Sequence, residues 1–221
     1  MNFKRLFALM GMVLALVLMT GCATKRASFD YTDYKASRPR SILVLPPVNN
    51  SPDVQATYSM LSFATVPLAE AGYYVLPVTL VAEAFKENGM TQPTDMHATP
   101  ADKLQKIFGA DAALYINITK YGTTYQVIAS ATVVSAEARL VDLKTGKLLW
   151  TGAASASSEE GQNQSQGGLA GLLISAIVKQ IMATTTDQGH RIAAVTSARL
   201  LSPGTPNGVL YGPRSPNYGK D

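Results

Sequence analysis

The 221-residue chain holds a single cysteine, a single tryptophan and two histidines, and only 15% of its residues are charged. One cysteine excludes an internal disulfide framework, and two histidines far apart in the chain exclude a clustered histidine or cysteine metal site. Sparse charge excludes a nucleic-acid binder: the 19 basic residues against 15 acidic ones are scattered, with only Lys25-Arg26 and Arg38-Pro39-Arg40 close together. No apolar run approaches the roughly 20 residues of a membrane-spanning helix. The phosphate-cradling and nucleophile-elbow glycine patterns are missing too. Gly167-Gly168-Leu169-Ala170-Gly171 follows a polar loop rather than a strand, and no Lys-Ser or Lys-Thr comes after it. His97 and His190 read as solvated surface residues, and the adjacent Glu159-Glu160 as a solvated loop. The sequence therefore implies no catalytic set, no metal and no cofactor.

What is present begins at the amino terminus. Lys4 and Arg5 precede an uncharged run from Leu6 to Met19, then Thr20, Gly21 and Cys22. A charged start, a short apolar middle and a small-residue exit form a secretory signal. Cysteine directly after Met19-Thr20-Gly21 makes the exit a bacterial lipobox, with Met19 where leucine is usual. Cys22 is thus the expected first mature residue, carrying thioether-linked diacylglycerol and an acylated amine; two or three chains hold a protein stably on a membrane. Ala23 follows Cys22 where an aspartate would favour inner-membrane retention, so the expected location is the outer membrane, on either its periplasmic or its surface face.

The expected organisation is a signal peptide over 1–21, a lipidated tether over 22–40, an α/β domain over 41–201 and a Pro/Gly-rich tail over 202–221. Ser41–Pro46 reads as a buried strand and Pro46–Pro52 as a loop. Val54, Tyr58, Leu61, Thr65 and Leu68 recur at helical spacing, with a kink or restart at Pro67 and a stop at Gly72. Tyr73–Val78 is a second strand, Leu80, Val81, Ala84 and Phe85 mark a helix closed by Gly89, and Thr99-Pro100-Ala101-Asp102 starts another that ends at Gly109. Ala112–Ile118 is a third strand, and Tyr121–Thr124 reads as a turn. In the next strand the apolar phase moves from Val127, Ala129, Ala131 and Val133 to Val134, Ala136, Ala138 and Leu140, which predicts a bulge near Val133 and Val134 or burial on both faces. Leu143–Gly146 is a hairpin turn, Lys147–Ser157 the return strand with Trp150 in the core, and Ser158–Gly168 a long polar loop open to a recognition role. Ile174, Ile177, Val178, Ile181 and Met182 define a helix whose wide apolar arc, with Leu169, Leu172 and Leu173, predicts a homo-oligomer, most simply a two-fold dimer. Strand–helix alternation followed by a hairpin predicts an α/β fold with a mixed sheet and flanking helices. The tail is expected to lack regular structure, yet it combines Tyr211, Arg214 and Tyr218 with spaced prolines, and aromatic and arginine side chains are favoured binding anchors.

The phrases "SILVLPPVNNSPDV", "ARLVDLKTGKLLWTG" and "VLYGPRSPNYG" resemble a proteobacterial outer-membrane lipoprotein family of unassigned function, typified by a meningococcal surface-antigen lipoprotein, over nearly the whole mature chain. The hairpin phrase is similar to segments of the TolB amino-terminal domain, CsgG and LpoB. The resemblance implies an α/β fold like that TolB domain, and partner binding or assembly in the envelope, with a CsgG-like lipoprotein as one candidate partner, rather than catalysis. Activation of a peptidoglycan-synthesising enzyme and solute binding are the alternatives. Only the lipid site, Cys22, carries over.

Overall fold

The computed structural model describes residues 29–125, 130–160 and 187–221. Five strands are hydrogen-bonded in the order β3-β1-β4-β5-β6: β1 (Ser41–Val44), β3 (Tyr74–Val75), β4 (Ala112–Tyr125), β5 (Ser130–Asp142) and β6 (Leu148–Ser157); the short β2 (Val48–Asn49) also pairs with β4. The β1–β3, β1–β4 and β2–β4 pairs are parallel, whereas β4–β5 and β5–β6 are antiparallel, so the sheet is mixed as expected. Leu45, Pro46 and Pro47 separate β1 from β2 on the same side of β4; the two prolines lack the N–H groups a continuous strand would donate.

Helices cover the sheet unequally. On one face lie α1 (Thr32–Ser37), the long α2 (Ala56–Glu70) and the last helix, α6 (Gln188–Leu201), over Ile42, Leu114, Ile116, Ile118, Val134 and Leu140. On the other, α3 (Val78–Glu87), α4 (Pro93–His97) and α5 (Ala101–Phe108) cover only the β1 side, closing over Leu43, Leu45, Ala113 and Tyr115 with Val81, Phe85, Met96 and Leu104. The rest of that face, including Asn117, Glu137, Arg139, Thr151, Ala153 and Ser155, is open to solvent.

Several expectations give way to the packing. The segment 29–40 is part of the folded unit, not of a tether: Tyr34 is 2% exposed within the main core. Helix α2 runs through Pro67 as one element without a restart, and its buried set is Ala56, Ser59, Met60, Leu61, Ala64, Pro67 and Leu68. Val54 and Tyr58 are instead 83% and 75% exposed, because small residues let α2 lie close against α6. Tyr121–Thr124 is strand rather than turn. The phase change sits on β4 rather than β5: Ile118 faces Ala136 and Lys120 faces Ser135, so Thr119 is the extra residue of a bulge. That bulge returns Tyr121 to the core face after Ile118, while β5 keeps one phase through Thr132, Val134, Ala136, Ala138 and Leu140. Thr132 holds the buried polar position by bonding Gln188 and Thr123 through its hydroxyl. The predicted helix around Ile174–Met182, its dimer surface and nearly all of the Ser158–Gly168 loop lie outside the described residues.

Candidate functional site

Ser202–Asp221 has no helix or strand, yet it is docked. Val209 and Leu210 are 2% and 9% exposed and complete the main core. The tail's backbone serves buried and half-buried donors from elsewhere in the chain: the Trp150 indole N–H donates to Asn207 O at 2.9 Å, Tyr31 OH to Gly208 O at 2.6 Å and Tyr73 OH to Leu210 O at 2.8 Å. In return Gly212 N–H donates to Ala71 O at 2.7 Å and Arg214 N–H to Gly72 O at 3.1 Å. Gly72 has φ +97°, and a Cβ there would stand 2.4 Å from Ser215 N, so both the turn after α2 and the seat of the tail require glycine.

This docking creates a surface. Tyr34, Tyr73, Tyr211 and Tyr218 line a pocket of about 290 Å³ together with Lys35 and Arg38. Tyr34 OH and Tyr73 OH lie 2.9 Å apart. Burial pushes both phenols up from their ordinary range, so they remain neutral donors at physiological pH. The chain's last residue closes the pocket: Lys35 Nζ donates to Asp221 O at 3.0 Å, and the Asp221 carboxylate accepts from Tyr211 N–H. Arg214 does not share that pocket. It lies in the adjoining groove, its guanidinium 5.7 Å from the ring centroid of the half-exposed Tyr74. The structure thus brings Tyr211 and Tyr218 together and sets Arg214 beside them with Tyr74, a residue the sequence did not single out. Cys22 lies outside the described residues.

Two polar clusters also escaped the sequence reading. Tyr121 OH donates to Ser59 Oγ at 2.9 Å, and Ser59 Oγ lies 2.7 Å from His190 Nδ1. This histidine is thus a bonded partner in the fold rather than a solvated residue. Ser59 is 4% exposed, closed off as a nucleophile. His97 is likewise not solvated. Its Nε2–H donates to Pro46 O at 2.9 Å, its ring stands edge-on to Tyr115, and Arg139 stacks over Tyr115 at 3.9 Å. Burial pulls His97 down from 6.5 to about 4, against the Pro46 bond, and Arg139 adds to the lowering. The unfolded chain therefore binds more protons between these values, and stability falls as pH drops through that window. Between pH 7 and pH 5 the loss from this site is expected to be about 2 kcal/mol, read by urea unfolding. His97→Gln should flatten that slope; an unchanged slope would assign it to other groups.

Among the described residues no cluster of histidine, cysteine or carboxylates could hold a metal ion, and no helix is long and apolar enough to cross a membrane.

The sequence profile of the family described as "Putative lipoprotein GNA1162-like" matches residues 29–214. The chain belongs to the GNA1162-like lipoprotein family. A lipoprotein of Neisseria meningitidis serogroup B is 51% identical over 201 residues, 90% of this chain and 93% of its own. The crystal structure of lipoprotein GNA1162 from Neisseria meningitidis aligns at 55% identity with a TM-score of 0.53, over 66% of this chain and all of its own. The PelC dodecamer of Paraburkholderia phytofirmans aligns at 15% identity and a TM-score of 0.44, over 81% of this chain and 94% of its own. Membership of a lipoprotein family implies attachment to a membrane of the cell envelope. The matched region starts at Phe29, where the described residues start, and includes the tail through Arg214.

Proposed function

We propose that this chain is a non-catalytic interaction module, anchored through Cys22 to the outer membrane, that presents the tail surface to another envelope protein. The observation that carries this is the docked tail itself: it places Tyr74, Tyr211, Arg214 and Tyr218 side by side on a surface of which Tyr74 and Tyr218 are 51% and 42% exposed. Aromatic and arginine side chains so grouped are the usual energetic anchors of protein interfaces. Activation of a peptidoglycan enzyme fits less well. Residues 29–40 are packed into the folded unit, so they add nothing to the reach that an activator would need.

A photocrosslinking residue at Tyr218, in intact cells, tests the reading. Discrete protein adducts are expected, reduced about tenfold by Arg214→Ala, a change that leaves the main-chain bond to Gly72 in place. Adducts no different from those of a probe at the remote exposed Ile107 would sink the tail surface as the contact. Cys22→Ser should move the protein from the membrane pellet to the soluble fraction; retention after a carbonate wash would disprove the anchor.

A further inference from the structure

Among the described residues the sheet ends at β6, whose outer edge is covered at both ends and open between. At the first end, Trp150 is tied to Asn207, and the tail loop lies alongside. At the far end Ser155 O accepts from Arg199 Nη1 at 2.9 Å, and Arg199 is itself paired with Glu160. The β5–β6 register joins Ala138 to Gly152, Arg139 to Thr151 and Glu137 to Ala153, and Ser158 N–H donates to Thr132 O. Even-numbered residues of β6 therefore turn their backbone groups toward β5, and Thr151, Ala153 and Ser155 turn theirs outward. Among the described residues nothing bonds the outward N–H and C=O of Thr151 and Ala153.

These groups lie in a groove of about 600 Å³, flanked by Arg139 and Glu137 on the open sheet face and by Arg199 and the 205–208 loop on the other. Exposed edges ordinarily carry lysine, proline or inward charge that blocks pairing. From Leu148 to Ser157 β6 has no charged residue and no proline. The side chains beside the window are small, Thr151 and Ala153, so Glu137 behind them on β5 can reach across, and Arg139 can do so once its guanidinium leaves the ring of Tyr115 on β4. Among the described residues neither Arg139 nor Glu137 is in an ion pair.

We propose that this window receives an extended segment of a partner polypeptide, added antiparallel to β6 as a further strand, with an acidic side chain opposite Thr151 beside Arg139 and a basic one opposite Ala153 beside Glu137. The charges fix the register, because strands lie about 4.8 Å apart and two spacings are within reach of Arg–Glu and Glu–Lys pairs. A second copy of the chain fits poorly. The open stretch spans three residues, roughly 10 Å, far short of the ~800 Å² per partner that a stable dimer buries, and a partner β6 would bring no charge to meet Arg139 and Glu137. The site is separate from the tail surface, so its test does not depend on that surface.

The test titrates the mature chain carrying Cys22→Ser with Ac-Val-Thr-Lys-Val-Glu-Thr-Val-NH₂, followed by amide NMR. Shifts are expected at Thr151, Ala153 and Arg139, with affinity weakened about tenfold when Lys and Glu of the peptide are exchanged. Ala153→Pro removes one outward N–H and no bond to β5, which an edge strand tolerates; it should abolish binding with the thermal midpoint kept. If that variant unfolds, a peptide with its backbone N–H groups methylated on the pairing side tests the same bonds and should not bind. Equal affinity for the exchanged peptide, binding that survives both changes, or shifts confined to other strands would each overturn the proposal. A concentration-dependent dimer lost in Ala153→Pro would overturn it in favour of a second copy.

Discussion

Deleting Ser202–Asp221 should abolish the cooperative thermal transition rather than merely trim a loose end. The deletion removes Val209 and Leu210 from the core, each worth roughly 1.5–3 kcal/mol of burial. It also takes the acceptors from the Trp150 indole, Tyr31 and Tyr73, and a buried donor left unpaired costs about 1–3 kcal/mol. The sum reaches the 5–15 kcal/mol total stability of a typical domain. Near-ultraviolet circular dichroism of the truncated chain during heating is the measurement. A sharp transition within a few degrees of the intact protein would show the tail to be dispensable.

Gly152→Val should cost nearly as much through a single side chain. Trp150 is 1% exposed, and its indole folds over the next residue but one; a Cβ on Gly152 would stand 2.2 Å from the ring's Cζ2. The ring cannot yield easily, since its N–H is tied to Asn207 O at 2.9 Å. Overpacking a well-filled site costs about 1–3 kcal/mol, and forcing the indole out adds its lost burial and an unpaired N–H. An expected loss of about 4 kcal/mol would appear as a lower urea midpoint with blue-shifted tryptophan emission lost. A variant with unchanged midpoint and emission would mean that the indole has another place to go.

Both predictions rest on contacts the sequence hides. Most strands and helices from Ser41 to Ile118 were legible because their apolar residues are local and periodic, as was the "LKTG" hairpin turn, where Gly146 has φ +70°; the two-residue β2, inside the expected loop, and the five-residue α4 are too short to show a period. The bulge at Thr119 was not. An extra residue leaves no mark of its own in a strand, and Val133 beside Val134 imitated a phase change that lies on the neighbouring strand. Tyr121-Gly122 imitated a turn, because its hydrophobic partner, α6, is distant in sequence. Val54 and Tyr58 matched a helical stripe, yet the buried stripe of α2 includes Ala56, Ser59 and Ala64 beside Met60, and those three small residues signal close helix contact rather than hydrophobic pull. Tyr211, Arg214 and Tyr218 were visible as residue types. Their neighbour Tyr74, and the division between pocket and groove, depend on two main-chain bonds across some 140 residues. The β6 window is a feature of topology alone: which strand ends a sheet is decided by pairing, not by composition.

The stitching of residues 29–35 to residues 207–221 has a consequence in time. Phe29 N–H bonds Asn207 Oδ1, Tyr31 bonds Gly208 and Lys35 bonds Asp221, so residues 29–35 wait for residues 207–221. Contacts this distant in sequence form slowly. A ribosome that has not released Val209 and Leu210 carries a chain whose core lacks its final wall. The nascent protein is thereby held short of its native state until residues 207–210 have emerged, the condition under which a polypeptide can still be threaded across a membrane.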